Sequence, residues 1–119
     1  MSISIGIEDA ETVILDGEDH DVFGDGTVVL KFTPGHTPGH QSLFLELANR
    51  GPFLLAGDLY HYAEERALDR VPSFDFDQEM TRATWRRVED FLTQTGAELW
   101  INHNLELFES LEKSPAFYD

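Results

Sequence analysis

Thr-Pro-Gly-His-Thr-Pro-Gly-His, residues 33–40, follows an alternating apolar run over 27–32 and precedes another over 41–47. Alternation with a period of two is typical of β-strands that bury one face. Proline cannot donate a backbone hydrogen bond to a strand ladder, so the two prolines end the first strand and keep the octapeptide in a loop. The loop therefore presents His36 and His40 between two strands of one sheet.

Two further polar steps follow apolar runs downstream. Gly57-Asp58 comes after 52–56, a short apolar strand expected to be buried on both faces, and Asn102-His103 comes after a final strand over 98–101. Loops at the same ends of neighbouring strands converge, so we expect His40, Asp58 and His103 to meet. The chain has no cysteine, so the ligands of any metal ion must be His, Asp or Glu. These three side chains predict a partly filled site for Zn, Mn, Fe or Co.

The remaining patterns predict a mixed α/β domain that occupies residues 1–119. Asp25-Gly26 is typical of a hairpin turn. Apolar spacings of three and four predict a long helix that begins after Asp75 or Asp77 and stops at Gly96. The other expected elements are weak strands over 3–7 and 12–15, hairpin strands over 21–24 and 27–33, a short helix within 60–68, an irregular loop over 69–77 and a last helix over 105–113.

Composition and charge exclude several classes of function. The 8 basic and 23 acidic side chains give a net charge of −15, which opposes binding to nucleic-acid phosphates. No apolar run approaches the roughly 18 residues of a membrane span. The first residues lack the basic and apolar regions of a signal peptide. We interpret the chain as a soluble cytoplasmic protein without nucleic-acid or membrane partners.

Each candidate residue also has an ordinary structural role to be weighed. A single histidine is more often a surface or packed residue than a ligand, and Asp58 after glycine could simply cap a turn. We assign His36 a loop-shaping or supporting role and expect His20 to be exposed. Tyr60, His61 and Tyr62 either pack the loop over the sheet or line a substrate pocket.

Taken together, these motifs resemble those of the metallo-β-lactamase superfamily, and within it the N-acyl homoserine lactonase-like members. The resemblance rests on residues 33–43, Leu55-Ala56-Gly57-Asp58, the Gly-Asp-Leu-Tyr-His run at 57–61 and Asn102-His103. It implies an αββα sandwich, of which this chain corresponds to the C-terminal half, with a mixed sheet and helices on one face. It also implies that His40 binds metal, that Asp58 bridges two ions, and that His103 binds the second ion.

The resemblance further implies a mechanism and a class of substrate. In this family a hydroxide held between two divalent ions, often zinc, attacks the carbonyl carbon of a lactone or ester. Many lactonases carry a tyrosine three positions after the bridging aspartate, to hold the substrate carbonyl. Here that position is His61, with tyrosines on either side. Asp58, His61 and Tyr60 are therefore the candidate catalytic residues for a small acyl substrate.

One motif of the family is absent from these residues. Its first metal motif, His-x-His-x-Asp-His, does not occur in the 119 residues. We therefore expect a truncated or half-domain form that holds at most one ion weakly and hydrolyses little by itself. The alternative is a non-catalytic folded fragment that acts through self-association. An apolar sheet face without its covering layer would favour a homodimer.

Overall fold

The computed structural model describes residues 11–119, which form a five-stranded mixed sheet and three α-helices. The strands lie in chain order across the sheet, and only the last pair, β4 and β5, is parallel. Strands and helices have the following bounds: β1 His20–Asp21, β2 Val28–Phe32, β3 Gln41–Leu47, β4 Gly51–Leu55, α1 Ala63–Leu68, α2 Gln78–Thr95, β5 Glu98–Trp100 and α3 Leu105–Ser110. Among these residues, no helix is both long enough and apolar enough to cross a membrane.

The loops that carry His40, Asp58 and His103 all lie at one end of the sheet, which we call the sheet edge. Because β3 runs antiparallel to β2 and β4, the end of β2, the start of β3 and the end of β4 lie at the same edge. The parallel crossover through α1 and α2 returns β5 in the direction of β4, so β5 also ends there. The expected convergence of the loops after these strands is therefore a consequence of the topology.

The long helix packs on one face of the sheet. Its N-terminus is capped by Asp77, whose carboxylate accepts the Met80 amide at 2.9 Å, and Gly96 ends it in the left-handed conformation. Trp85 of α2 lies in the core, with its indole N–H 2.7 Å from the Leu59 carbonyl. The buried core residues are Phe44, Leu54, Ala56, Leu59, Tyr60, Trp85, Val88, Leu92 and Ile101.

The opposite face of the sheet is also apolar, and its side chains are half-buried except for Phe53, which is buried. We call it the outer sheet face, formed by Val28, Leu30, Phe32, Leu43, Leu45, Leu47 and Leu55, which the strand register places on one side. Each of these residues keeps an intermediate exposure, whereas Phe44 and Leu54 on the α2 side are buried. The sequence-based expectation of a second apolar face agrees with this arrangement.

Some local predictions differ from the structure. Residues 12–15 form no strand, and Ile14 is 91% exposed because no neighbouring strand pairs with this segment. The hairpin between β1 and β2 has a wider loop than a two-residue turn, since the Asp21 carboxylate accepts the amides of Gly24 and Gly26 at 2.9 and 2.8 Å. His20 is half-buried rather than exposed. The strand expected over 3–7 lies outside the described residues.

The contact between α1 and α2 predicts how the stability of the protein depends on pH. Glu89 on α2 accepts hydrogen bonds from the Arg66 guanidinium at 2.6 and 2.7 Å and from the Tyr60 hydroxyl at 3.0 Å. The bonds from Arg66, more than the one from Tyr60, hold the pKa of the Glu89 carboxyl below its ordinary value of 4.5. The folded state therefore binds this proton less readily than the unfolded state, and the stabilisation fades as the pH falls below 4.5.

We expect Glu89→Gln to reduce the free energy of unfolding at pH 7 by less than about 1 kcal/mol, because the pair is partly exposed to solvent and screened. The difference between the two proteins should shrink as the pH falls through the lowered pKa of Glu89. Urea unfolding at a series of pH values measures it. A difference that is constant from pH 7 to pH 3 would contradict this assignment.

Candidate metal centre

The octapeptide loop is fixed at both ends by backbone hydrogen bonds. The Thr33 amide donates to the His40 carbonyl at 3.0 Å, and the Gly35 amide donates to the Thr37 carbonyl at 3.0 Å. The loop also rests on α2, where the Thr84 hydroxyl donates to the Pro34 carbonyl at 2.6 Å. The loop is thus held between the strand ends and the long helix, so its histidines have defined positions.

The hydrogen bonds around His40 determine which of its ring nitrogens carries the proton. The Ser42 hydroxyl donates to the Ala56 carbonyl at 2.9 Å, so the Thr33 hydroxyl, 3.0 Å away, donates to Ser42. Thr33 Oγ1 and the Thr33 carbonyl can then only accept from His40 Nδ1, at 2.8 and 3.0 Å. This leaves His40 Nε2 with its lone pair directed toward the strand ends.

Burial favours the neutral form of this imidazole. Desolvation is the main reason that the pKa of His40 lies below its ordinary value of 6.5, although the hydrogen bond to Thr33 opposes the effect. In this structure Nε2 accepts the Asp58 amide at 3.0 Å. A neutral imidazole whose Nδ1–H is bound to a carbonyl is the form in which histidine binds metals. His40 therefore fits the metal-binding role predicted for it, with an ion replacing the amide at Nε2.

Asp58 lies between two other histidines. Its carboxylate oxygens are 3.4 Å from His103 Nε2 and 3.8 Å from His36 Nε2. Asp58 is half-buried, and the His103 side chain is 56% exposed. The structure thus brings His40, Asp58 and His103 to one edge, with Asp58 in contact with each of the other two. Their role as ligands of one ion stays a prediction.

Gly57 allows Asp58 and His40 to approach each other. Its φ of +59° is in the left-handed region, and a Cβ atom there would lie 2.9 Å from His40 Nε2. We expect Gly57→Ala to cost about 1–2 kcal/mol of stability and to weaken Zn²⁺ binding about tenfold, because the displaced imidazole is a supposed ligand. Urea unfolding and calorimetric titration with Zn²⁺ measure the two effects.

Gly51→Ala is the matched control for this substitution. Gly51 has a φ of +81°, but a Cβ atom there would meet nothing within 4 Å. It should therefore show similar backbone strain and unchanged Zn²⁺ affinity. Equal Zn²⁺ affinities for the two variants would contradict a ligand role for His40.

The two remaining candidates, Tyr60 and His61, have different surroundings. Tyr60 is 1% exposed, packs against Trp85 with ring centroids 4.4 Å apart, and donates its hydroxyl hydrogen to Glu89. Burial, aided by the negative charge of Glu89, raises the pKa of Tyr60 well above its ordinary value. The structure therefore places this phenol in the core beside α2, and a catalytic role for it stays a prediction.

His61 lies on the side of the loop that faces the histidines. Its ring centroid is 4.9 Å from that of His36 and 6.1 Å from that of His103. Phe74 packs edge-on against it at 5.0 Å. His61 thus lies beside His36 and His103, and its role in lining a substrate pocket stays a prediction. Neighbouring Tyr62 is 56% exposed beside His103.

The sequence analysis missed Asp75 as a residue of this region, and it gave His36 only a loop-shaping or supporting role. Within residues 11–119, the group with three mutually close donor atoms is His36, His61 and Asp75, whose atoms lie within 4.8 Å of one another. Asp75 was considered only as a possible cap of α2, which Asp77 provides instead. No sequence pattern links Asp75 to the histidines, because only the folded loop brings residues 69–77 over the sheet edge.

Comparisons with known proteins identify the family of this chain. A family profile described as "Metallo-beta-lactamase superfamily" matches residues 4–94. The N-acyl homoserine lactonase AttM of Rhizobium radiobacter is 37% identical over 99 residues, which cover 83% of this chain and 38% of the relative. AttM of Azorhizobium caulinodans is 32% identical over 100 residues, 84% of this chain and 38% of the relative. The chain thus spans less than two-fifths of these relatives.

Solved structures give the same result. An N-acyl homoserine lactone hydrolase with the product N-hexanoyl-L-homoserine bound at its catalytic metal centre matches with a TM-score of 0.75 and 32% identity, over 85% of this chain and 39% of that one. A Bacillus thuringiensis AiiA mutant with N-decanoyl-L-homoserine at its active site matches equally well, with a TM-score of 0.75 and 32% identity, over 85% and 39% of the two chains.

These matches confirm the predicted fold class, a mixed sheet with helices that forms part of a metallo-β-lactamase fold, and the resemblance to its lactonase members. The divalent metal predicted from the sequence is a property of that family. Because the family match extends over most of the chain, residues 4–94, this protein belongs to the metallo-beta-lactamase superfamily.

Proposed function

We propose that this chain forms one half of a metal-dependent hydrolase site that acts on the acyl bond of a lactone or ester. The observation that carries this proposal is the orientation of His40. Its Nδ1–H is fixed by Thr33, and its Nε2 is directed at the backbone of Asp58. The relatives are N-acyl homoserine lactonases, which supports a small acyl lactone as substrate.

His40, Asp58 and His103 would hold the ion, and zinc is the metal we expect. A bound divalent ion would supply an activated hydroxide and a Lewis acid for the carbonyl oxygen. The carboxylate of Asp58 provides the negative charge of the site, and the two imidazoles provide neutral donors. All three follow strands of one sheet, and a site built on such a scaffold would keep its donors in place.

The side chains beside the ligands would act on the substrate. His61 is buried next to Phe74 and faces the other histidines, so its ring N–H can donate to the carbonyl oxygen of a bound acyl group. Tyr60 would help by fixing the loop that carries Asp58 and His61, through its contacts with Trp85 and Glu89.

The proposed activity needs ligands beyond those of this chain. The family's His-x-His-x-Asp-His motif does not occur in the 119 residues, so we expect the isolated chain to hold at most one ion weakly and to hydrolyse little. The decisive experiment is a chimera. The part of R. radiobacter AttM that precedes its match to this chain is joined to this chain, and hydrolysis of an N-acyl homoserine lactone is measured with Zn²⁺.

We expect the chimera to hydrolyse the lactone, and chelation or Asp58→Asn to abolish the reaction. A chimera of unaltered AttM sequence is the positive control, and this chain alone is the negative control. A folded chimera that binds Zn²⁺ but leaves lactones and simple esters intact would overturn the proposal. The cytoplasmic location expected from the sequence stays a prediction.

The outer sheet face favours a second candidate function, a fragment that acts by self-association. It presents a run of half-buried Leu, Val and Phe side chains, a composition typical of surfaces that another layer covers. In this case two copies would bury these faces against each other to form a homodimer.

We expect Leu45→Glu, at the centre of the outer sheet face, to convert a dimer of the isolated chain to a monomer. Burial of a carboxylate between two apolar faces is unfavourable. Light scattering coupled to gel filtration measures the mass. Gln94→Glu adds the same charge at an exposed position of α2 and should leave the dimer intact. A wild-type chain that is monomeric at all concentrations would contradict self-association.

A further inference from the structure

Asp75 is a buried carboxylate without a basic partner of permanent charge. Its side chain is 1% exposed, and its two oxygens contact the Thr81 hydroxyl at 2.8 Å and His36 Nδ1 at 3.1 Å. Among residues 11–119, no lysine or arginine forms an ion pair with it. A buried carboxylate is costly unless a cation or several hydrogen bonds compensate its charge. The surroundings of Asp75 therefore favour a positive charge at this point.

His61 provides a second, independent sign of a missing partner. The residue is 9% exposed, and its Nδ1 has no hydrogen-bond partner. Glu65 Oε2 is 3.4 Å from this nitrogen but already accepts the His61 backbone amide at 2.7 Å. A buried polar atom without a partner is uncommon in folded proteins. If the imidazole rotated about its side-chain bonds, Nδ1 could bind an ion and would no longer lack a partner.

We propose that His36, His61 and Asp75 form a second divalent-cation site, distinct from the edge formed by His40, Asp58 and His103. The two imidazoles and one carboxylate suit Zn²⁺ or a similar borderline transition ion, and water would complete the shell. The donor atoms lie within 4.8 Å of one another. Metal–ligand bonds of about 2.0–2.2 Å require them to approach to roughly 3.4 Å, so the rings close around the ion.

The position of His36 separates this site from the proposed hydrolytic one. Its Nδ1 contacts Asp75, while its Nε2 is 3.8 Å from Asp58 Oδ2 on the opposite side of the ring. An ion bound through Nδ1 would thus leave Nε2 free to donate to Asp58. This inference goes beyond the proposed function, because the second site uses neither His40 nor His103 and does not depend on lactone hydrolysis. The two sites share His61, whose N–H would remain on the ring nitrogen that the ion does not use.

Histidine-ring ¹⁵N spectra of the purified chain, titrated with Zn²⁺, test the proposal directly. We expect one ion to shift the ring nitrogens of His36 and His61 together, whether or not the ring of His103 also shifts. Shifts confined to His40 and His103, with those of His61 unchanged at saturation, would overturn it. This readout uses the unaltered chain and therefore does not depend on the folding of any variant.

Matched variants separate the two sites by calorimetric titration with Zn²⁺. His61→Phe keeps a ring in contact with Phe74 and should lower the affinity of one binding event at least tenfold. His103→Phe removes a supposed ligand of the hydrolytic site only and should leave that event within threefold of the unaltered chain. Asp75→Asn retains the acceptor for Thr81 and should reproduce the loss. Zn²⁺ binding that His103→Phe abolishes and His61→Phe leaves unchanged would overturn the second site and leave the proposed function standing.

Discussion

Replacing Gly35 by alanine is expected to lower the free energy of unfolding by about 3 kcal/mol, because it adds both backbone strain and overpacking. Gly35 has a φ of +143°, and a Cβ atom there would lie 2.3 Å from Thr81 Oγ1 and 2.6 Å from Thr81 Cα. The Thr81 side-chain oxygen could rotate away, but Thr81 Cα and N, at 2.6 and 2.7 Å, belong to the backbone of α2 and cannot. The octapeptide loop would have to separate from the helix, which would also displace His36.

Urea unfolding, followed by circular dichroism, measures this loss. Gly39→Ala is the matched control in the same octapeptide, because a Cβ atom at Gly39 meets nothing within 4 Å and its φ is not positive. The control should remain within about 0.5 kcal/mol of the unaltered protein. Equal unfolding midpoints for the two variants would contradict the close contact between Gly35 and Thr81 of α2.

Asp58→Asn is expected to reduce the affinity of the proposed hydrolytic site for Zn²⁺ about 100-fold or more, since loss of even an outer partner of a metal ligand costs 10–100-fold. The amide keeps the shape of the side chain but removes the negative charge that His36 and His103 face at 3.8 and 3.4 Å. In the chimera with the AttM half, the same change should abolish lactone hydrolysis.

The substitution Asp16→Asn removes one negative charge at an exposed position and controls for the overall field of this acidic chain. Zn²⁺ titration of both variants at one ionic strength separates the loss of a charge at the site from the loss of one charge elsewhere on the chain. If Asp16→Asn weakened Zn²⁺ binding as much as Asp58→Asn, the supposed ligand role of Asp58 would be wrong.

Local signals in the sequence predicted the main elements well. The strand over 41–47 was placed with the bounds that the structure has, and the long helix begins after Asp77 and ends at Gly96 as expected. Both predictions rest on short-range physics, namely side-chain periodicity and the capping of free backbone groups. The apolar segment over 12–15 pairs with no described strand, so it does not become a strand itself.

The sequence analysis found those candidate site residues that come directly after a predicted strand. His40, Asp58 and His103 follow apolar runs, and the sheet topology brings them together. Asp75 and Tyr60 could not be placed in this way. Asp75 lies in an irregular loop whose path depends on contacts with His36 and Thr81, and the direction of the Tyr60 side chain is set by its partners on α2.

The sequence alone determined the family resemblance, the octapeptide loop and the order of helices and strands, because these follow from residue types and spacings close together in the chain. Only the tertiary structure decided which nitrogen of His40 faces Asp58, that Tyr60 is buried beside Glu89, and that His36, His61 and Asp75 meet. Such contacts join residues up to 39 positions apart, as His36 and Asp75 are, and they exist only when the loops pack on the sheet edge.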